Sequence, residues 1–381
     1  MRLGVVAGEA SGDALGARVL AALAPRCPDL STEGVGGPRM QALGMCSLHP
    51  MERLSVMGLT GPLRRLPELL RLRRRLLRRF LSDPPDLFLG IDSPDFNLPL
   101  ARALRRRGIP TAQLVSPSVW AWRPGRVETV SRSVDTVLCL FPFEPPLYAR
   151  QAVSAVFVGH PLAEEIVPDP DPGAARAALD LPAGGQVLAL LPGSRAGEVA
   201  AMADTFLRAA RLLAGRIEGL SVVIPVAGPA CRAALDPALE NCGDLSLTLV
   251  EGRSREAMAA ADAVLAASGT ATLEAALLRR PLVVAYRMGA LSWWVLSRLV
   301  HTPYVALPNI IAERQVAPEL LQDAATPEAL AHALEPLLAD ADARARARED
   351  LAGTGTRLRG DFGAATAEAL VGLAARGTVG D

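Results

Sequence analysis

Two short stretches carry the clearest chemistry. LALLPGSRAGE (Leu188–Glu198) and SGTATLEAAL (Ser268–Leu277) each read as a strand, a small-residue turn and the start of a helix. At such a turn the free backbone N–H groups and the positive end of the helix dipole can hold a phosphate. Gly193 and Ser194 supply the backbone of the first turn, and Arg195 adds a planar fork that suits phosphate oxygens. In the second, Ser268, Gly269 and Thr270 form the corner. Glu274, about one helical turn on, places a carboxylate where ribose hydroxyls can be accepted. Either turn alone reads equally well as an ordinary capped helix. The pair in one α/β unit points to a nucleoside diphosphate.

Three further loops offer polar groups at strand ends. GEASGD (Gly8–Asp13) follows the first apolar run; Gly8, Ser11 and Gly12 let a ligand approach the backbone, while Glu9 and Asp13 offer acceptors for sugar hydroxyls. A tight strand-to-helix turn explains the same residues. It is not GxGxxG, which disfavours a dehydrogenase. GIDSPDFN (Gly90–Asn97) puts two carboxylates after the apolar run DLFLGID. Asp92, nearest the strand end, is the candidate general base; Asp95 reads as a substrate contact or as the cap of the next helix. SPSVWAWRPGR (Ser116–Arg126) holds Trp120 and Trp122 beside Arg123 and Arg126, a combination that can stack a sugar or hold an anion. No GxSxG elbow supports a serine hydrolase.

These loops need a scaffold. At 381 residues the chain exceeds one usual core, so two domains are expected, 1–165 and 173–340, with helices over 341–381 packing back on the first. Apolar runs alternate with amphipathic helical patterns: Leu3–Ala7, Leu87–Ile91, Thr111–Val115, Thr136–Leu140 and Ala155–Val158, then Val187–Leu191, Ser221–Pro225, Ala263–Ala266 and Pro281–Ala285. This predicts an α/β fold of doubly wound parallel sheets, with ligands at the carboxyl ends of the strands in an interdomain cleft. HPLAEEIVPDPDPG (His160–Gly173) is the expected linker; its Asp169 and Asp171 read as connector residues rather than metal ligands.

Composition narrows the class. All 40 basic residues are Arg, so lysine chemistry is excluded, and 40 acidic residues balance them. A net charge of zero does not suit a general nucleic-acid binder. Five cysteines without a CxxC pair imply reduced, mostly buried thiols in the cytoplasm, and four scattered histidines suggest no metal site. The N-terminal apolar run is too short for a signal peptide, and no stretch is long enough to span a membrane. LRRLPELLRLRRRLLRRFL (Leu63–Leu81) carries eight arginines among leucines at helical spacing. It fits an anionic membrane surface or the solvated face of a core-packed helix.

Nine motifs in order over residues 8–322 resemble the lipid-A-disaccharide synthase family. They are GEASGD, GIDSPDFN, SPSVWAWRPGR, FPFE (Phe141–Glu144), VGHPL (Val158–Leu162), LPGSR, SGTATLEAAL, VVAYR (Val283–Arg287) and LPNIIAERQVAPELLQ (Leu307–Gln322). The resemblance implies two Rossmann-like domains in the GT-B architecture and an inverting, metal- and cofactor-free transfer. UDP-2,3-diacylglucosamine would be the donor and 2,3-diacylglucosamine 1-phosphate (lipid X) the acceptor, giving a β-1,6 disaccharide and UDP. Gly193, Ser194 and Arg195 would then face the diphosphate and Glu274 the ribose, with Arg287 and Asn309 bordering the donor. Asp92 would take the acceptor's proton, while Glu9, Ser11 and Arg123 orient the acceptor. Acylated substrates imply a peripheral hold on the cytoplasmic face of the inner membrane through the Leu63–Leu81 helix; a homodimer is also open. The chain departs from the family at MGLTGPL (Met57–Leu63), where Gly61 stands in place of the usual acid. Other UDP-sugar transferases or a UDP-sugar epimerase share the nucleotide features but leave the basic helix and SPSVWAWRPGR unexplained, and retention of Asp92 with the Arg195–Glu274 set disfavours a peripheral membrane protein that senses nucleotide sugars without turnover.

Overall fold

In the computed structural model the described residues are 1–54, 61–117, 125–240, 242–243, 245–289 and 303–377, with the backbone alone at 61–65 and 377. They form two compact units. The first contains Met1–Pro161 and the chain from Gly360; the second contains 162–289 and 303–359.

The first unit is a seven-stranded sheet of β1 (Arg2–Ala7), β2 (Ser31–Val35), β3 (Cys46–Ser47), β4 (Leu87–Ile91), β5 (Thr111–Leu114), β6 (Thr136–Cys139) and β7 (Ser154–Phe157). Its order is β3-β2-β1-β4-β5-β6-β7, and every pairing is parallel. Alternation along the strands divides the core. Val5, Leu89 and Ile91 point to one face, where the helices Ala10–Leu23 and Phe362–Gly377 bring Val19, Leu23, Phe362 and Leu370. Val6 and Phe88 point to the other, against the helices Gly61–Ser82 and Pro94–Arg105.

The arginine-rich helix covers this second face. Leu72, Leu76 and Phe80, four residues apart, are buried in the core, and Arg71, Arg74, Arg75 and Arg78 are exposed. The leucine stripe is therefore core packing, and the basic face is what remains for any surface role. Residues 57–60, most of the departure from the family pattern, lie outside the described residues.

The second unit is also wholly parallel: β8 (Val187–Leu191), β9 (Ser221–Val226), β10 (Leu247–Glu251), β11 (Ala263–Ala267), β12 (Leu282–Tyr286) and β13 (Glu319–Leu321), in the order β10-β9-β8-β11-β12-β13. The division falls after Pro161, so the expected linker belongs mostly to this unit. Asp171 accepts from Gly173 and Ala174 N–H as an N-cap, and Asp169 pairs with Arg280 and Arg348. Those bonds account for both aspartates as structural groups.

The tail departs from expectation. The helix Ala341–Leu358 packs in the second unit, where Leu351 meets Ala276 and Val316; only Phe362–Gly377 joins the first. All five cysteines are free, but only Cys139 and Cys231 are buried, fewer than expected. No helix among the described residues is long and apolar enough to cross a membrane.

Candidate active site

In each unit the strand order reverses at one point, between β1 and β4 and between β8 and β11. Adjacent crossovers there run to opposite faces, leaving a crevice beyond the carboxyl ends of the strands.

In the second unit that crevice is a cavity of about 480 Å³. Gly193, Ser194 and Arg195 line it from the end of β8, and Ser268, Gly269, Thr270 and Glu274 from the end of β11. Pro225–Ala227, Gly252 and Ser254 close the side near β9 and β10. Gly193 sits at φ 146°, and an added Cβ would lie 2.5 Å from Glu198 Cβ, so only glycine makes this turn. Arg195 caps the helix Ala196–Ala214, and its side chain is 67% exposed. Arg195 Nη1 donates to Glu198 Oε1 at 3.0 Å, and the Ser194 N–H donates to Glu198 Oε2 at 3.2 Å. Burial raises the Tyr286 phenol pKa, and nearby Glu198 raises it further.

Glu274 is held from the side. Arg255 Nε donates to Glu274 Oε1 at 3.0 Å, and the same guanidinium reaches Glu165 at 3.4 Å. Its second oxygen stays available to the cavity that it lines.

In the first unit Asp92 follows β4 directly, with φ 50°, and Ser93 follows at φ 42°. Two consecutive left-handed residues other than glycine cost on the order of 1–3 kcal/mol each and persist only where the surroundings over-determine them. Here they do. The Asp92 carbonyl accepts from Asn97 Nδ2 at 2.9 Å and from Gln113 Nε2 at 3.0 Å, and its N–H donates to Leu114 O at 3.0 Å. Gly90 makes room for this clamp, since a Cβ there would lie 2.7 Å from Gln113 Oε1 and 2.9 Å from Asn97 Cβ. Burial pushes the Asp92 carboxyl pKa above the ordinary range, opposed by a bond from Ser93 N–H.

The remaining expected residues divide. Gly8 and Gly12 are buried, Ser11 is exposed, and Glu9 lines a cavity of about 560 Å³ with Arg39 and Glu52. Asp13 lines the same cavity, and its buried carboxylate takes the N–H groups of Gly37, Arg39 and Met40. Asp95 does not cap the helix Pro94–Arg105, where Ser93 holds that position; it pairs with Arg126. Trp122 and Arg123 lie outside the described residues.

Arg287 and Asn309, expected to border the donor, both make structural hydrogen bonds within the second unit. Arg287 donates to Gln322 O at 3.1 Å, Ala325 O at 2.8 Å and Thr205 Oγ1 at 3.4 Å, tying β12 to the following chain. The fully buried Asn309 donates to Ala317 O and Glu319 and accepts from Val316 and Ala317 N–H. Its amide donors and acceptor are committed within the unit. Among the described residues no group of three His, Cys, Asp or Glu is placed to hold a metal.

Sequence reasoning missed Asn97, Gln113, Glu198 and Arg255 as site-shaping groups. Asn97 and Glu198 stand inside quoted motifs, four or five residues past the functional position, where a helix brings them back over its own start. Gln113 and Arg255 carry no such signal.

Two wholly parallel α/β units, each with a crevice at its switch point, are the architecture of the GT-B fold. The family model described as lipid-A-disaccharide synthetase matches residues 3–365. The lipid-A-disaccharide synthase of Pseudomonas aeruginosa is 51% identical over 376 residues, covering 99% of each chain. That of Alkalilimnicola ehrlichii is 51% identical over 382 residues, 99% of this chain and 100% of the relative. The chain belongs to the lipid-A-disaccharide synthase family. Among solved structures, Acinetobacter baumannii MurG matches with a TM-score of 0.60 at 14% identity, covering 97% of this chain and 99% of that one, a likeness of fold.

Proposed function

We propose that the protein transfers 2,3-diacylglucosamine from its UDP ester to 2,3-diacylglucosamine 1-phosphate, forming the β-1,6 disaccharide with inversion and releasing UDP. Family membership supports the reaction. The observation that carries the residue assignment is the cavity joining the Gly193–Arg195 and Ser268–Thr270 junctions, with Glu274 on its wall.

The acceptor 6-hydroxyl attacks the anomeric carbon of the donor, and Asp92 takes its proton. A carboxylate held by desolvation above its ordinary pKa is a stronger base than a solvated one. As the bond to the diphosphate breaks, its electron pair passes to the β-phosphate oxygen. The turn N–H groups and the Arg195 guanidinium stabilise that growing charge, and Glu274 fixes the ribose. Glu9 and Ser11 orient the acceptor sugar.

The exposed arginines of the helix Gly61–Ser82, together with Leu66 at 48% exposure, support peripheral binding to an anionic leaflet. Each such charge contributes about 1 kcal/mol near the surface. Flotation with anionic and with neutral vesicles tests this, and equal binding to both removes the electrostatic reading.

The reaction itself is tested by incubating both lipid substrates with the protein in detergent micelles without added metal. Mass spectrometry follows UDP and the disaccharide. The expected result is β-1,6 disaccharide, lost in Asp92→Asn. Release of UDP alone assigns a different acceptor.

A further inference from the structure

Glu198 is a carboxylate in the cavity that binds an anion. Its two oxygens accept from the Ser194 N–H at 3.2 Å and from Arg195 Nη1 at 3.0 Å. A glutamate at the third position of a helix is ordinarily explained by the helix dipole and by a capping-box bond to the N–H of the cap residue. That explanation does not cover the Ser194 contact, because Ser194 precedes the cap residue Arg195 and lies outside the helix. Both bonds come from donors of the phosphate-type turn, and Glu198, with a side chain 21% exposed, lines the cavity with them. The carboxylate thus uses the hydrogen-bonding positions that a phosphate oxygen would use at this turn.

We propose that Glu198 is an internal competitor for the diphosphate, a residue that sets nucleotide affinity by holding the Ser194–Arg195 donors until UDP displaces it. The proposal rests on the reading of this cavity as the diphosphate site. One N–H and one guanidinium arm cannot serve two anions at full strength, and two anions at hydrogen-bond distance repel. Nucleotide binding therefore requires Glu198 to swing off the turn. Its return as UDP leaves keeps the donors ordered between turnovers and favours product release. Affinity for the product is lowered, while the same donors remain directed at the leaving group during transfer.

The test compares the full-length protein with Glu198→Gln by titration calorimetry, using UDP and, as a ligand without phosphate, uridine. Glutamine keeps the size and one acceptor but removes the charge. The expected result is UDP bound about tenfold more tightly by the variant, the effect of one lost like-charge contact, with uridine affinity unchanged. The inhibition constant for product UDP should fall by the same factor. Unchanged or weaker UDP binding by Glu198→Gln overturns the proposal and makes Glu198 a support of the turn. Equal tightening of uridine overturns it as well, since the effect would not act at the phosphates. Failure of the wild-type protein to bind UDP overturns the reading of the cavity itself, and this proposal with it. Should Glu198→Gln not fold, Glu198→Ala is held to the same comparison.

Discussion

The two switch points place loops at equivalent positions of their sheets, yet they are built in opposite ways. At β1/β4 the chain is crowded: Asp92 is clamped through its backbone by Asn97, Gln113 and Leu114, two residues are left-handed, and Asp13 is committed to the β2 loop. At β8/β11 the turns are small-residue, the cavity is open, and Arg195 is mostly exposed. On the proposed reading a base is fixed and desolvated, whereas an anion site keeps its donors at the cavity wall, where Glu198 holds them until a ligand displaces it. The same topology serves both because the sheet sets only where a loop emerges.

The comparison is broken most directly at its crowded end. Asp92→Asn should lower kcat by about 10²–10⁴-fold, the usual contribution of a positioned base, with the circular-dichroism spectrum retained. A variant within a few-fold of wild type would remove Asp92 from the chemistry. At the open end, Arg195→Ala should cost about a hundredfold to a thousandfold in rate, because one donor to the developing charge is gone. Its exposed side chain predicts an unchanged melting temperature, so a parallel loss of stability would show the turn to be structural.

Arg287→Ala sharpens the contrast from within the same unit. Its guanidinium serves Gln322 O, Ala325 O and Thr205, so truncation removes the side-chain donor from Ala325 O and leaves Gln322 O with the Ala325 N–H. The expected cost is about 1–3 kcal/mol in urea unfolding, with turnover per folded molecule preserved. Lost turnover at full stability would instead give Arg287 a role at the donor site.

The raised Asp92 pKa gives a signed pH prediction. The base works only when ionised, so the acid limb of kcat/KM should lie above the ordinary carboxylate range, and Asp92→Asn should abolish that limb. Between the ordinary and the raised pKa the folded protein holds more protons than the unfolded chain, so stability falls as pH rises through that window. Asp92→Asn should therefore melt higher than wild type at neutral pH, and the two should converge in acid below the ordinary carboxylate pKa. A variant that melts lower at neutral pH would mean that the carboxylate is stabilised rather than desolvated.

What the sequence revealed follows the same divide. Central strands such as Leu87–Ile91 and Val187–Leu191 were legible because both faces are buried, and their apolar runs are continuous. Ser31–Val35, Cys46–Ser47, Leu247–Glu251 and Glu319–Leu321 were not: they lie at or next to sheet edges, are short or half-buried, and carry polar residues. The two turns that line the second unit's cavity were legible because small residues follow each strand directly in sequence. The clamp on Asp92 was not, since Gln113 reaches it from a neighbouring strand. The structural bonds of Arg287 and Asn309 were not legible for a related reason: a motif fixes residue types, and bonds to backbone carbonyls need Arg and Asn as much as ligands do.

Asp95 separates the two carboxylates of GIDSPDFN by the smallest effect. Three residues beyond Asp92, it lies in the first turn of its helix, is 88% exposed and pairs with Arg126. An exposed ion pair of this kind contributes about 0–1 kcal/mol. Asp95→Asn should therefore leave unfolding within that range and kcat within about fivefold of wild type. Its acid limb should coincide with that of the unmodified protein, because the desolvated group is untouched. A rate loss matching Asp92→Asn would instead transfer the proton-accepting role to Asp95. The clamp on the Asp92 backbone would then serve to place the helix start rather than the base.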